Sequence, residues 1–258
     1  MSHVQVRLDG HVATVTLNRP EALNAISGAV ADELAGAVLQ AAAQPDVWVM
    51  VLGAAGDKAF CVGADLKERN RLDDRGWMRN RVLMRAMFDS VRSVPQPTIA
   101  SAFGFALGGG FELALSCDLI VAADDGVFGL PEVTVGIVPG GGGTQLLARR
   151  IGVARAKELV FTGRRVAAAE ALELGLVSRV VSRAELEAAT AELAGTICRS
   201  SPVSVREAKQ AIDRALGVSL EAGIELEDLA WRRAVASEDR VEGIAAFNEK
   251  RDPEWKGR

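Results

Sequence analysis

With 258 residues, 49% of them hydrophobic and 25% charged, the chain can bury a sizeable core as one large domain or as a domain with a small appendage, and it is not composed like a disordered segment. Its formal net charge of −4 provides no global attraction for nucleic acid or an anionic membrane. Cys61, Cys117 and Cys198 are odd in number and far apart, which supports neither a disulfide framework nor a zinc site; with no basic-then-apolar leader and no uninterrupted apolar run of about 18 residues, the reading is a soluble, cytoplasmic protein.

Residues 3–9 and 11–17 alternate around Asp9-Gly10 and read as a β-hairpin. Ser27 then suits the N-cap of a helix that carries Val30, Leu34, Ala37, Val38 and Ala41 at helical spacing, with Asp32 and Glu33 near the favourable end of its dipole. Residues 47–52 form a buried strand. A long helix over roughly 66–93 leads to a strand at 98–103, a helix from about Gly110 and a strand at 119–123, so the middle of the chain is a repeating strand-and-helix unit. Beyond residue 182 the strand signal disappears and four helical segments follow. Ser182-x-x-Glu185 is a capping box before Leu186, Ala189, Leu193 and Ile197. Ser201-Pro202 supplies an N-cap and an N1 proline for a helix with Val205, Ala208 and Ile212, which Gly217 ends. Segments around 220–236 and 238–250 are moderately amphipathic, and small helices appended to a finished α/β core often serve subunit association.

The only histidines, His3 and His11, sit in the hairpin, far in sequence from any carboxylate cluster, and there is no G-x-S-x-G elbow, P-loop or full G-x-G-x-x-G. The chemistry therefore rests on carboxylates, amides and glycine-rich turns. Three such turns lie at strand-to-helix junctions, where backbone amides are unpaired and the dipole favours negative charge: KAFCVGADLK (58–67), GFALGGGFE (104–112) and GLPEVTVGIVPGGGGT (129–144). One glycine cluster alone reads as a tight turn, and one glutamate alone as a solvated surface group. Here Glu112 lies within the apolar GGFELALS and Glu132 follows Phe128-Gly129-Leu130-Pro131. Two carboxyls in a low-dielectric site form a coupled pair that can hold and exchange protons, which is acid/base equipment without histidine.

FCVGADLK, ALGGGFE, GLPEVTVGIVPGGGGTQLLARRIG, the 20-residue separation of Glu112 from Glu132, LNRPEALNA at 17–25 and the closing AFNEKRDPEWKG together resemble the crotonase, or enoyl-CoA hydratase/isomerase, superfamily over nearly the whole chain. The stretches ALGGGFELALSCD and DRVEGIAAFNEKRDPEWKG look closest to its methylglutaconyl-CoA hydratase branch. The resemblance implies an α/β fold: a spiral of repeated ββα units over 1–198, followed by a helical trimerisation region over 199–258. It implies that the Ala64 and Gly109 amides form an oxyanion hole for a thioester carbonyl, and that Glu112 and Glu132 together hold a water over a C2=C3 double bond. Glu132 then protonates C2 while Glu112 orients the water. Ala22, Asp65, Leu66 and Lys67 match contacts to coenzyme A, with Lys67 placed for its phosphates. Pro131 and Gly140 match the wall of the substrate pocket, and Phe247 and Lys250 match residues that reach a neighbouring subunit's site. The implied activity is hydration of a 2-enoyl-CoA by a homotrimer or dimer of trimers, without metal or permanently bound cofactor, coenzyme A arriving as part of the substrate. A Δ3,Δ2-enoyl-CoA isomerase using one glutamate is the nearest alternative; a non-catalytic RNA-binding or scaffold protein is the alternative of another class. Leu130, where many short-chain hydratases carry a polar residue, and Arg69, Arg71, Arg75, Arg79, Arg81 and Arg85 depart from the common pattern and leave the acyl group open.

Overall fold

The computed structural model describes residues 2–258. It begins with the expected hairpin, β1 (Val4–Asp9) antiparallel to β2 (Val12–Leu17), with Asp9 opposite Val12. Helix α1 (Gly28–Ala42) follows; Ser27 caps it by accepting the Val30 N–H, and it buries Val30, Ala31, Leu34, Val38 and Ala41, the stripe that its helical period sets.

Three repeats of strand, strand and helix come next. The first comprises β3 (Val49–Ala54), β4 (Ala59–Cys61), α2 (Leu66–Arg69) and α3 (Asp74–Ser93). The second comprises β5 (Thr98–Ala102), β6 (Phe105–Leu107) and α4 (Gly109–Ser116). The third comprises β7 (Leu119–Ala123), β8 (Val127–Gly129), a 3-10 turn at Pro131–Val135 and α5 (Gly143–Ile151). Beyond them lie α6 (Val153–Thr162), β9 (Val166–Ala167), α7 (Ala168–Glu173), β10 (Arg179–Val181) and four helices: α8 (Leu186–Cys198), α9 (Pro202–Ala215), α10 (Leu220–Val235) and α11 (Glu238–Glu249). In each repeat the first strand enters a six-stranded sheet ordered β1-β2-β3-β5-β7-β10, and the second enters a four-stranded sheet ordered β4-β6-β8-β9. This is the ββα spiral with a helical tail that the sequence resemblance implies.

From β2 onward the strands of the large sheet are parallel, and in β3, β5 and β7 side chains on both faces are covered. Met50, Leu52, Ala100, Ala102, Ile120 and Ala122 join one core with α1, α3 and α4. Their alternates Val49, Val51, Ile99, Val121 and Ala123 pack with Leu186 and Ala194 of α8. Burial on both faces is why these strands read as apolar runs rather than as alternating ones. The tail is tied to the large sheet by Lys209 on α9. Its Nζ lies 2.8 Å from Asp118 Oδ2 and donates to the Gln96 carbonyl at 2.9 Å, while the same carboxylate oxygen accepts the Thr98 N–H and Oγ1–H. No helix among the described residues is long and apolar enough to cross a membrane.

The single helix expected over 66–93 is two. Asp65 caps α2 by accepting the Lys67 and Glu68 N–H groups, and Asp73 Oδ1 accepts the Gly76 N–H at 2.7 Å to start α3. The second cap starts a separate helix without a proline or glycine at the break, so periodicity alone does not reveal it. Asp73→Ala is expected to lower stability by about 1 kcal/mol in urea denaturation; no loss would show that the cap does not hold the start of α3.

Candidate active site

The short strands β4, β6 and β8 are parallel, with Cys61 opposite Ala106 and Leu107 opposite Gly129. The chain therefore leaves all three at the same edge of the small sheet, and the segments that follow, 62–65, 108–109 and 130–132, converge there. The amide of Gly108 donates to the Gly129 carbonyl at 2.9 Å, which locks the second segment to the third. Gly63, at φ +88°, holds the first against the second so closely that a Cβ there would lie 2.9 Å from both the Gly109 nitrogen and the Leu107 carbonyl oxygen. No other residue fits that approach.

Two amides are left free by this arrangement. Ile26 bridges the first segment by donating to the Gly63 carbonyl at 2.7 Å and accepting the Asp65 N–H at 2.9 Å. In such a parallel bridge the N–H of the residue between them, Ala64, turns the other way. Gly109 opens α4 behind Gly108, which offers no side-chain cap, so its N–H is one of the unpaired donors of a helix start. Neither N–H finds an acceptor among the described residues. The two are neighbours: the Ala64 nitrogen lies 3.8 Å from where a Gly109 Cβ would sit.

Glu112, one turn into α4, is only 3% exposed. Its Oε1 accepts the Gly141 N–H at 2.7 Å and the Gly143 N–H at 2.8 Å. Burial pushes its pKa up, and the amides of Gly143, Gly141 and Gly140 oppose that rise by stabilising the charged form. Glu132, in the 3-10 turn, is held differently. Its Oε2 is buried with no hydrogen-bond partner among the described residues, and burial first, with the charge of Glu112 added, pushes its pKa up to about 7. The carboxyl with two amide donors is the more readily ionised of the pair, and the one with an unpartnered buried oxygen holds its proton to higher pH. The site thus pairs an amide-held carboxyl with one that titrates near neutrality.

Both face a cavity of about 940 Å³ that brings together Ala64, Leu66, Gly109, Glu112, Pro131, Glu132 and Gly140. Arg69, Arg81 and Arg85 also line it, whereas Ala22, Asp65, Lys67, Phe247 and Lys250 lie outside its wall. Ala22 ends a short turn at Pro20–Ala22, which leads into Leu23 and Asn24, both at positive φ. The buried Asn24 side chain staples this turn to the Ala55 and Ala59 carbonyls. Asp65 points away from the cavity as the cap of α2 and pairs with Arg19 at 2.7 Å, a contact that holds its carboxyl below the usual range. Lys67 is exposed on α2, and Phe247 and Lys250 lie exposed at the end of α11. The motif reading missed the Gly141 and Gly143 amides, although the run Gly140–Gly143 was their visible signal. It also missed the inward face of α3, where Trp77, Asn80 and Met84 line the cavity; the helical period through 77, 80 and 84 was the clue.

Compared with known proteins, residues 7–258 match the family model described as enoyl-CoA hydratase/isomerase. A short-chain-enoyl-CoA hydratase of Clostridium acetobutylicum is 37% identical over 97% of this chain and 96% of its own. The mitochondrial enoyl-CoA hydratase domain-containing protein 2 of Mus musculus is 43% identical over 96% of this chain and 85% of its own. The crystal structure of an enoyl-CoA hydratase from Bacillus anthracis superposes with a TM-score of 0.97 at 43% identity, covering 99% of this chain and 100% of that one.

The raised pKa of Glu132 has a sign that stability measurements detect. A carboxyl whose pKa is about 7 folded and 4.5 unfolded makes the folded chain hold a proton that the unfolded chain releases. Its contribution is fully present below 4.5 and is lost as the pH rises through about 7. Glu132→Gln lacks this titration, so in urea unfolding its stability relative to the wild type is expected to grow between about pH 5 and about pH 8. A pH-independent difference would mean that Glu132 has an ordinary pKa.

Proposed function

The chain belongs to the enoyl-CoA hydratase/isomerase family and is an enoyl-CoA hydratase, and from that premise we propose that Ala64, Gly109, Glu112 and Glu132 carry the addition of water across C2=C3 of a 2-enoyl-CoA to give a 3-hydroxyacyl-CoA. The observation that carries this assignment is the inequality of the two glutamates, Glu112 Oε1 with two amide donors and Glu132 Oε2 with none, beside two free amides.

The thioester carbonyl oxygen accepts the Ala64 and Gly109 N–H groups. An α,β-unsaturated thioester is electrophilic at C3, and nucleophilic attack there moves the double-bond electrons toward the carbonyl oxygen. The two donors are complementary to that enolate charge, and losing one such donor costs on the order of 10²–10³ in rate. Glu112 is ionised and fixed through Oε1, so its other oxygen is the acceptor for one water O–H and aims the water's lone pair at C3. Glu132 gives its proton to C2. As the C3–O bond forms, the water's released proton passes to the Glu132 carboxylate, which restores the starting state with one water consumed.

Coenzyme A comes and goes with the substrate in this reading. The turn at Ala22 and the segment Asp65, Leu66 and Lys67 follow its arm, and the exposed ammonium of Lys67 meets its phosphates. Residues 1–198 carry the catalytic spiral and 199–258 the association region. Leu220, Ile224, Trp231 and Phe247 stand exposed on α10 and α11, apolar surface that suits cover by further copies of the chain. A homotrimer or dimer of trimers would carry one copy's Phe247 and Lys250 to the next copy's site.

Crotonyl-CoA is expected to lose its enoyl-thioester ultraviolet absorbance when mixed with the enzyme; no turnover of this or of longer and branched enoyl esters would sink the assignment. Glu132→Gln should lower kcat by about 10²–10⁴-fold while leaving acyl-CoA affinity in place, and wild-type-like rates would remove Glu132 from the acid role. Because the free enzyme needs Glu132 protonated, kcat/KM should fall as the pH climbs through about 7, a limb absent from an enzyme that does not use this acid. Light scattering during size exclusion should give a trimer or hexamer mass, and a monomer would contradict the association reading.

A further inference from the structure

Each of the two amides that hold Glu112 is one end of a peptide unit, and the opposite ends of the two units are held differently. The Gly143 N–H shares its unit with the Gly142 carbonyl, which accepts the Gln145 and Leu146 N–H groups at 2.9 and 2.8 Å, so the first turn of α5 backs this donor with backbone alone. The Gly141 N–H shares its unit with the Gly140 carbonyl, and that oxygen accepts Nη1–H of Arg81 at 2.5 Å. In a trans peptide the C=O and N–H point in opposite directions. The Arg81 guanidinium, the Gly140–Gly141 peptide and the Glu112 carboxylate therefore form one chain of cation, dipole and anion. Hydrogen bonds in such a chain polarise one another. Burial pushes the pKa of Glu112 up, and the charge of Arg81 acts with the glycine amides against that rise.

The other charged groups around Glu112 do not duplicate this arrangement. On α3, Arg85 and Arg92 share Asp89, and Arg92 donates to the Gly141 carbonyl at 2.6 Å, whose peptide unit ends in the Gly142 N–H and not in either donor to Glu112 Oε1. Arg81 has no carboxylate partner among the described residues and keeps its charge for the Gly140 carbonyl. The approach is close enough that a Cβ at Gly140 would lie 3.2 Å from the same Nη1. Arg69 and Glu132 complete the charged groups of the cavity wall. Among the elements packed on α4, β6 and β7 carry no titratable side chain, and β4 carries only Cys61, whose thiol burial pushes up to about 12. Helix α5 carries Arg149, which donates within its own helix, and Arg150, which binds the Leu115 and Cys117 carbonyls at the far end of α4. The proton on Glu132 answers to burial, Glu112 and Arg69 rather than to Arg81.

We propose that Arg81 is a positioning residue for Glu112: through the Gly140–Gly141 peptide it aims and polarises an amide donor, and so maintains the carboxylate that orients the attacking water. The inference rests on the hydratase reading for its effect on turnover but not for its effect on protonation, and both are measured. First, kcat/KM for crotonyl-CoA is followed against pH in the wild type, Arg81→Met, Arg81→Gln and Arg81→Lys. Glu112 acts ionised, so a variant that supports its charge less well holds the proton to higher pH. The acidic limb of Arg81→Met should move up in pH, lowering kcat/KM on that side by about threefold to tenfold, while the limb at about 7 set by Glu132 stays in place. Arg81→Gln, which donates without charge, should keep the displacement, and Arg81→Lys should reverse part of it. A deficit that is the same at every pH, full recovery in Arg81→Gln, or movement of the Glu132 limb alone would each overturn the proposal. The glutamine and lysine variants carry the comparison if Arg81→Met fails to fold. Second, infrared difference spectra against Glu112→Gln should show the protonated Glu112 carboxyl band persisting to higher pH in Arg81→Met and Arg81→Gln than in the wild type. Identical titrations would overturn the proposal even in an active enzyme. A displaced titration in a protein that turns over no enoyl-CoA would instead remove the hydratase assignment and leave Arg81 as the support of Glu112.

Discussion

Two hydrogen bonds from the Gly141 and Gly143 amides to Glu112 Oε1 hold a carboxylate where burial would otherwise neutralise it, and much of the site is arranged around them. They require a glycine run free of side chains: a Cβ at Gly143 would lie 2.9 Å from that same oxygen, and one at Gly141 would lie 2.4 Å from the Phe88 ring. They also make the pair unequal. With one glutamate fixed as the anion, its charge adds to burial in keeping the proton on the other. Acid and water-holder thus follow from backbone geometry rather than from a difference in residue type.

The fold supplies the rest through one topological fact. Each repeat places a second, short strand in the small sheet, and because β4, β6 and β8 are parallel their ends share one edge. Oxyanion donors, acid and anion arise from segments distant in sequence but adjacent there, each at a strand end or a helix start where amides are unpaired. The central strands of the large sheet, β3, β5 and β7, are buried on both faces and form the rigid base. The salt bridge between Lys209 and Asp118 links that base to the helical tail, so the region assigned to association is not loosely attached to the region assigned to chemistry.

Much of this was legible in the residues. The hairpin turn, the Ser27, Ser182 and Ser201 caps and the strand at 119–123 follow from local rules of turn chemistry, capping and apolar patterning, and each lies where those rules put it, to within a residue or two. The small sheet was not legible. Its strands are two or three residues long, too short to display alternation, and they exist because neighbouring repeats stack. The break between α2 and α3 was hidden for a related reason, since Asp73 reads as one more polar residue on a helix face until its carboxylate is seen on the Gly76 amide. Of the site, Glu112 and Glu132 stood out by their apolar, glycine-rich flanks, whereas Ala64 and Gly109 were picked out by the family resemblance, the glycine-rich junctions indicating only that unpaired amides lie there. Arg69 was visible only as one of several arginines: whether such a residue faces water or a cavity depends on how the short helix α2 is seated, which no local pattern states.

The central claim is that the two glutamates differ in protonation, with Glu132 as the acid and Glu112 as the anion. Infrared difference spectroscopy of the resting enzyme, recorded against Glu132→Gln across the pH range, tests it directly. The account predicts a protonated carboxyl band that is present in the wild type, is missing from the variant and fades as the pH rises through about 7. A wild type with no such band below that pH, or a band that persists in Glu132→Gln and vanishes in Glu112→Gln, would contradict it.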